Sequence, residues 1–470
     1  MSSRNESGRE IVYGPPALKR SIGVWGSFCM GYADVGADIY IALGIITVFA
    51  AAASPIAFGL AAIAYVCTGL CYAELGSTYP VAGGAQVFSF RAFGGLLGFL
   101  AGWGLMLGYT VCITFFALAA TGYLGFFYPI LHKNPYYGLT SIALIISLTA
   151  INLLGIRLSS ALNEFIVAVN LVSGSLILVA GFIFAFNLDL WLSQIKFGVE
   201  PTWNSLIYAT SLAMASYIGI ESISQAAEET KDPRKVIPKA TIAAVVAVPA
   251  FALGFSTLSV GILPWRRIAE NVENPLVYVA SQVFSRFSPS ASSLAALWVA
   301  FLGFSICYVS SNTGLIGVSR VTFSMARLRL LPPELSVIHP KYRTPFLALI
   351  AFSSIACLLI LINIALPSAM MLEVIADTYN FGALVAYMLV NLSLIALRNK
   401  DKNGERPWKV PLSKSIGSFE LPILPVIGFA TCLFLWAVMI TWHEKGRLFG
   451  SLWFMIGLLF YVIFAKLKKR

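Results

Sequence analysis

The chain has 470 residues, 58% of them hydrophobic and only 11% charged, with a mean hydropathy of +0.82. A soluble domain of this size is about 45–50% apolar and about 25% charged, so a soluble enzyme is excluded, and no polar stretch is long enough to bury a core of its own. The net charge of +11 is spread over short loops between apolar runs, not gathered on one folded face, which excludes a nucleic-acid-binding domain.

In chain order, a polar tail (1–20) precedes apolar segments near 22–46, 54–75, 95–127, 138–154 and 161–186. Further segments follow near 204–226, 240–262, 293–319, 346–364 and 370–396. A polar loop (398–421) then leads to 422–441 and 449–465. Each run is close to the roughly 20 residues that a helix needs to cross a bilayer, which predicts an all-α integral membrane protein of twelve transmembrane helices. The runs are continuous, whereas barrel strands alternate in polarity. Ala50 to Ala53 imitate a signal-peptidase site, but the run before them is long and carries Asp34 and Asp38, so it reads as the first span of the mature protein. The seven cysteines lie in or beside apolar runs and read as small packing residues; Cys67 and Cys71 alone make a poor metal site.

Orientation follows from the basic residues. With a cytoplasmic N-terminus, 25 of the 32 lysines and arginines fall in inside loops and tails and 7 fall outside. That asymmetry predicts a multi-pass protein with both termini in the cytoplasm, touching the bilayer's anionic headgroups.

The informative places are those where a lipid-buried helix breaks its own rules. Span one reads Gly31-Tyr32-Ala33-Asp34-Val35-Gly36-Ala37-Asp38-Ile39-Tyr40. An ionised aspartate at the bilayer centre costs about 2.5–3.5 kcal/mol, so two unpaired ones cost roughly 5–7 kcal/mol. They must face water, a cation or each other's proton, and the glycines would let the helix unwind beside them. Span six carries a matching breach, Ser216-Tyr217-Ile218-Gly219-Ile220-Glu221-Ser222. The two breaches head successive blocks of five spans, and an odd number inverts the second block. Broken helices at equivalent places in inverted halves mark a transporter's central site.

Four stretches carry a family resemblance. They are Ala73-Glu74-Leu75-Gly76-Ser77-Thr78-Tyr79-Pro80 with Gly83-Gly84-Ala85 and Ala92-Phe93-Gly94; Ala227-Glu228-Glu229-Thr230-Lys231-Asp232-Pro233-Arg234; Ser319-Arg320 with Met325-Ala326-Arg327 and Leu330-Leu331-Pro332; and Arg406-Pro407-Trp408-Lys409-Val410-Pro411. In that order, at those spans, the chain resembles the amino acid–polyamine–organocation (APC) superfamily of secondary transporters. The resemblance implies a 5+5 inverted-repeat core with broken helices 1 and 6 and two peripheral helices. Repeat one would be 21–200, repeat two 201–397, and 422–470 would hold helices 11 and 12 and a basic tail. It implies an amino acid or amine permease in the plasma membrane, coupled to H+ or Na+ and working by alternating access. No enzymatic activity, cofactor or nucleic acid is implied, and the chain would be a monomer or weak homodimer.

Carried over by position, Gly36 and Ala37 on span one and Ile218, Gly219 and Ile220 on span six would hold the substrate's charged groups, with Tyr217 covering the ligand. This chain departs from the family's glycine-rich first-span motif, because Asp38 stands where a glycine lets a carboxylate approach. Asn170 stands where many proton-coupled members carry a lysine. Asp34, Asp38, Asp377 and Tyr379 make the site cation-rich, and Ser310 and Ser311 lie where sodium-coupled relatives supply hydroxyl ligands. A K+ uptake permease of the same superfamily is the alternative, with Tyr40, Tyr109 and Tyr379 as its tyrosines. Asp34 and Asp38, four apart, read either as a pair sharing one proton or as holding Na+ or K+ on one of the two. Glu74 is expected in an inner gate with Arg91, and Glu221 as a partner of freed span-six backbone. His132, His339 and His443 read as loop residues.

Overall fold

A computed structural model describes residues 2–4, 10–12, 20–272, 274–365, 371–402 and 404–467. Most of the expected N-terminal tail, and Lys468 to Arg470 of the basic C-terminal tail, lie outside the described residues. Two short strands, β1 (Ser2–Arg4) and β2 (Glu10–Val12), pair antiparallel. There follow α1 (Val24–Gly36), α2 (Ile39–Ala50), α3 (Ser54–Thr78), α4 (Ala85–Phe93), α5 (Gly95–Gly125), α6 (Tyr136–Leu153), α7 (Ile156–Phe184) and α8 (Leu188–Gln194). Beyond it come α9 (Trp203–Ala213), α10 (Glu221–Gln225), α11 (Pro233–Ile262), α12 (Trp265–Ala269), α13 (Pro275–Ser285), α14 (Pro289–Arg327), α15 (Phe346–Ala365) and α16 (Met371–Lys400). A hairpin of β3 (Ser413–Ile416) and β4 (Phe419–Pro422) precedes α17 (Ile423–Trp442) and α18 (Glu444–Leu467).

The protein is an all-α membrane protein with its helices where the apolar runs lie. Eleven helical stretches among the described residues are long and apolar enough to cross a membrane, against the twelve expected. The difference lies in Val24–Thr78, a single stretch of 55 residues. At about 1.5 Å per residue it would measure about 80 Å, more than twice a hydrocarbon core of ~30 Å. It is interrupted after Gly36 and again at Ala51–Ala53, where Ala51 takes φ +50°.

Local chemistry explains several boundaries. Ser288 accepts from the Ala291 amide at 3.0 Å ahead of Pro289, capping α14. Thr202 caps α9 by accepting from Ser205 at 3.1 Å. Gly83 takes φ +130°, and a Cβ there would lie 2.3 Å from Ser324 Oγ, so the turn into α4 requires glycine. The long helices α14 and α16 both pack on α5, and α3 lies along α11. Gly104 and Gly382 bring α5 and α16 backbone to backbone, since a Cβ on either would sit 2.5 Å from the other's carbonyl oxygen.

Candidate functional site

The two breaches differ in kind. Span one tightens instead of unwinding: Ala37 and Asp38 keep right-handed helical angles, the Asp38 amide donates to Val35 O at 3.2 Å and the Tyr40 amide to Ala37 O at 3.0 Å. Gly36 provides room rather than backbone freedom, because a Cβ there would lie 2.6 Å from the Tyr32 ring. Span six is where the backbone opens. After α9 comes a 3-10 turn at Met214–Tyr217, then extended Ile218, then Gly219 at φ +133°, and α10 resumes for only five residues.

The breaches meet at one point. A Cβ on Gly219 would lie 2.6 Å from Asp34 Cβ and Cγ, so the Asp34 carboxyl rests directly on the opened backbone. The Gly219 amide donates to Glu221 Oε2 at 3.1 Å and to the Tyr387 hydroxyl at 3.1 Å. Tyr387 donates to Glu221 Oε2 at 2.7 Å, and the Tyr379 hydroxyl donates to Ile218 O at 3.2 Å. Span ten therefore holds the opened turn through two phenols of α16, Tyr379 and Tyr387, while Glu221 binds freed backbone of its own span.

The acids are buried and under-satisfied. Asp34 Oδ1 accepts from the Cys112 thiol at 3.7 Å, while Asp34 Oδ2, both Asp38 oxygens and Glu221 Oε1 have no hydrogen-bond partner among the described residues. Asp38 precedes α2, where an aspartate ordinarily caps a helix, yet its side chain caps nothing. Buried polar atoms are almost always paired, and here four carboxyl oxygens at the two breaches are left without a donor among the described residues.

The remaining expected residues surround this centre. Asn170 bridges the two phenols flanking the span-one turn, accepting from Tyr32 at 3.3 Å and donating to Tyr40 at 2.7 Å. Ser310 donates to Ala33 O and Ser311 donates to Ile113 O at 3.0 Å, so both hydroxyl protons go to backbone carbonyls. Tyr109 accepts from Gln225 at 2.9 Å. The Tyr217 ring lies 5.3 Å from Tyr65, its hydroxyl without a hydrogen-bond partner among the described residues. Ala37 sits at the span-one turn and Ile220 leads into α10.

Three expected residues, Asp377, Glu74 and Arg91, stand elsewhere. Asp377 does not join Asp34 and Asp38 but pairs with His443 at 2.7 Å. Glu74 accepts from Arg398 Nε at 2.9 Å, from Arg406 Nη1 at 3.1 Å and from the Val410 amide at 2.7 Å, all buried. Arg91 lies 4.7 Å over the Tyr79 ring. Beside that cluster, Glu229 pairs with Arg320 at 3.0 Å and Glu228 with Arg327 at 2.8 Å. These pairs fasten α3, α10's following loop, α14 and α16 at one end of the molecule. Tyr79 donates to Asp401 at 2.8 Å; burial, with that hydrogen bond and the Asp401 charge, pushes its phenol up to about 12, so it remains a donor at neutral pH.

Sequence reasoning missed Tyr387, Cys112 and His443. Tyr387 had a signal, because it and Asn391 put two polar groups four residues apart inside an apolar span.

Interrupted helices meeting at buried acids define a membrane carrier. The chain belongs to the amino acid permease family, whose model matches residues 22–465, within the APC superfamily. It is 27% identical to the branched-chain amino acid permease BcaP of Bacillus subtilis, over 96% of this chain and 94% of that one. It is 26% identical to the methylthioribose transporter of the same organism, over 92% and 90%. To the low-affinity putrescine importer PlaP of Escherichia coli it is 26% identical, over 88% and 86%. The potassium alternative finds no support in these relatives.

Proposed function

We propose that this chain is a secondary active transporter that moves an amino acid or related amine across the plasma membrane by alternating access, coupled to H+ or Na+. The observation that carries this reading is the contact of Asp34 with Gly219, with unpartnered oxygens of Asp34, Asp38 and Glu221 around it. An ammonium donates up to three hydrogen bonds and carries the charge that such oxygens lack. The Ile218 carbonyl, already an acceptor for Tyr379, lies on the same opened turn. Asp38 in place of a glycine favours the amine end of a solute over its carboxylate.

Asp34 and Asp38 serve as the coupling pair, with Ser310, Ser311, Asn170 and Tyr379 ordering the turn around them. The repeats 21–200 and 201–397 rock about this point, and the Glu74, Glu228 and Glu229 pairs close the cytoplasmic side, where both termini lie. The carrier works as a monomer or weak homodimer. The driving force is adequate: one positive charge entering down about 100 mV releases about 2.3 kcal/mol, roughly a fiftyfold concentration of a neutral solute.

The test is reconstitution in liposomes with labelled amino acids and amines. Saturable uptake, accelerated by the same solute inside and abolished when the H+ or Na+ gradient is collapsed, is the expected result. No saturable flux of any of them, or conductance far above about 10³ ions per second, would refute the proposal.

A further inference from the structure

At the end of α17 remote from the Glu74 cluster, about 30 Å along a helix of 20 residues, three polar side chains from three parts of the chain form a line. Asp377 of α16 meets His443 Nδ1 at 2.7 Å, and His443 Nε2 meets Ser211 Oγ of α9 at 2.7 Å. All three are buried, His443 at 1% exposure. The Tyr208 ring lies parallel to the imidazole, 4.0 Å away and tilted by 6°. Asn380, three residues on from Asp377 and so on the same face of α16, donates to the carbonyls of Ser211 and Leu212 at 3.2 and 3.3 Å. Ser211 is thus gripped by side chain and backbone three residues before the 3-10 turn that opens span six.

The hydrogen-bond roles tie this grip to a proton. The Ser211 hydroxyl donates to Tyr208 O at 2.8 Å, so in that arrangement His443 Nε2 must donate to Ser211. An ionised Asp377 accepts from Nδ1, and the ring then carries two protons and a positive charge. Loss of the Nε2 proton to water leaves a neutral ring, and Ser211 turns its hydroxyl from Tyr208 O to Nε2. Charge-assisted hydrogen bonds are roughly twice as strong as neutral ones, and a stacked aromatic face adds to the preference for a cation. Asp377 faces the ring from α16, and Tyr208 faces it from α9 with Phe49 of α2 behind at 4.7 Å. From α18, Gly446 lies against Asp377 Cβ, while Glu444, Lys445 and Arg447 are exposed and the Arg447 amide donates to His443 O at 2.9 Å. A triad of this order also serves hydrolases, but this serine is buried and bonded to its own helix, which makes it a fastening.

We propose that Asp377 and His443 form a second proton site, separate from the acids at the helix breaks, and that His443 is a positioning residue whose protonation fastens α9 to α16 and to the α17–α18 turn. Protonation holds the first half of span six more firmly, and deprotonation weakens that hold. The consequence for transport rests on the alternating-access reading above; the proton site does not.

The experiment uses the full chain in lipid nanodiscs. Nitrogen-15 NMR of labelled imidazoles, with His443→Gln for assignment, follows ring protonation from about pH 5 to about pH 8, the range in which an imidazole changes charge. Spin labels at positions 203 and 448 follow the distance from the start of α9 to α18 over the same range. The expected result is a His443 titration accompanied by a longer distance whose population rises about fivefold to tenfold as pH increases, from the lost charge assistance. Ser211→Ala should keep the titration and remove the pH dependence of the distance. A His443 ring fixed in one state throughout, a titration unchanged in Asp377→Asn, or a distance in the native chain that ignores pH would overturn the proposal. A protein that titrates and moves as described yet carries no amino acid or amine would keep this proton site and refute the function proposed above.

Discussion

Gly219→Ala is the most direct test of where the two halves of the protein meet. At φ +133° an L-residue is strained by about 1–3 kcal/mol. The added methyl would also lie 2.6 Å from Asp34 Cβ and Cγ and 2.7 Å from Oδ2, far inside the 3.5–4.0 Å of ordinary carbon contact. Overpacking of this kind costs about 1–3 kcal/mol more. The sum is roughly 2–6 kcal/mol, or about a thirtyfold to twenty-thousandfold loss where it falls on binding, at tenfold per 1.4 kcal/mol. Purified protein would be scored by melting temperature and by calorimetric affinity for its solute. Asp34→Gly removes all three clashing atoms, so in a double-mutant cycle it should return about 1–3 kcal/mol to Gly219→Ala. Gly23→Ala is the control, since nothing lies within 4 Å of its added methyl, and it should stay within about 0.5 kcal/mol of the native chain. If Gly219→Ala melts and binds like the native chain, or if Asp34→Gly returns nothing, the two breaks do not form the site.

Asp38→Asn should abolish ion-driven accumulation while sparing counterflow exchange, measured in the same liposomes; equal loss of both would remove Asp38 from coupling. Glu74→Gln leaves buried Arg398 and Arg406 without their shared carboxylate and should destabilise the protein by about 3–5 kcal/mol, read as a lowered melting temperature; an unchanged melt would mean the cluster adds nothing. Tyr79 is neutral in the folded chain to higher pH than its ordinary value of 10.0. Its hydrogen bond to Asp401 therefore contributes fully below about pH 10 and fades as pH rises toward about 12. Tyr79→Phe should melt below the native chain at neutral pH and converge with it in that alkaline window; parallel curves would show that the phenol does not titrate as argued.

Much of the fold was legible because hydropathy is local. Each apolar run carries its own reason to be a helix in lipid, and each was found near its expected place, down to the glycine that opens span six. The count differed where two expected spans run on through Ala51–Ala53 with little to punctuate them. Local reading misjudged the span-one glycine for a related reason. Gly36 looks like a hinge in sequence, but its missing side chain is filled by the Tyr32 ring one turn earlier, and the turn stays close to helical.

Partnerships were another matter. The carboxylate at position 74 is plainly an acid that needs a base, yet a basic loop offers several, and its Arg398 lies 324 residues away. Asp377 read as one more acid for a central path; only the folding of the α17–α18 turn back over α16 buries His443 against it. The residue order determined a lipid-spanning chain with two flawed helices and acids that lipid alone does not accommodate. Tertiary packing decided which acid met an arginine, which met a histidine, and which came to rest on open backbone, because those choices depend on distances between helices that no stretch of chain encodes alone.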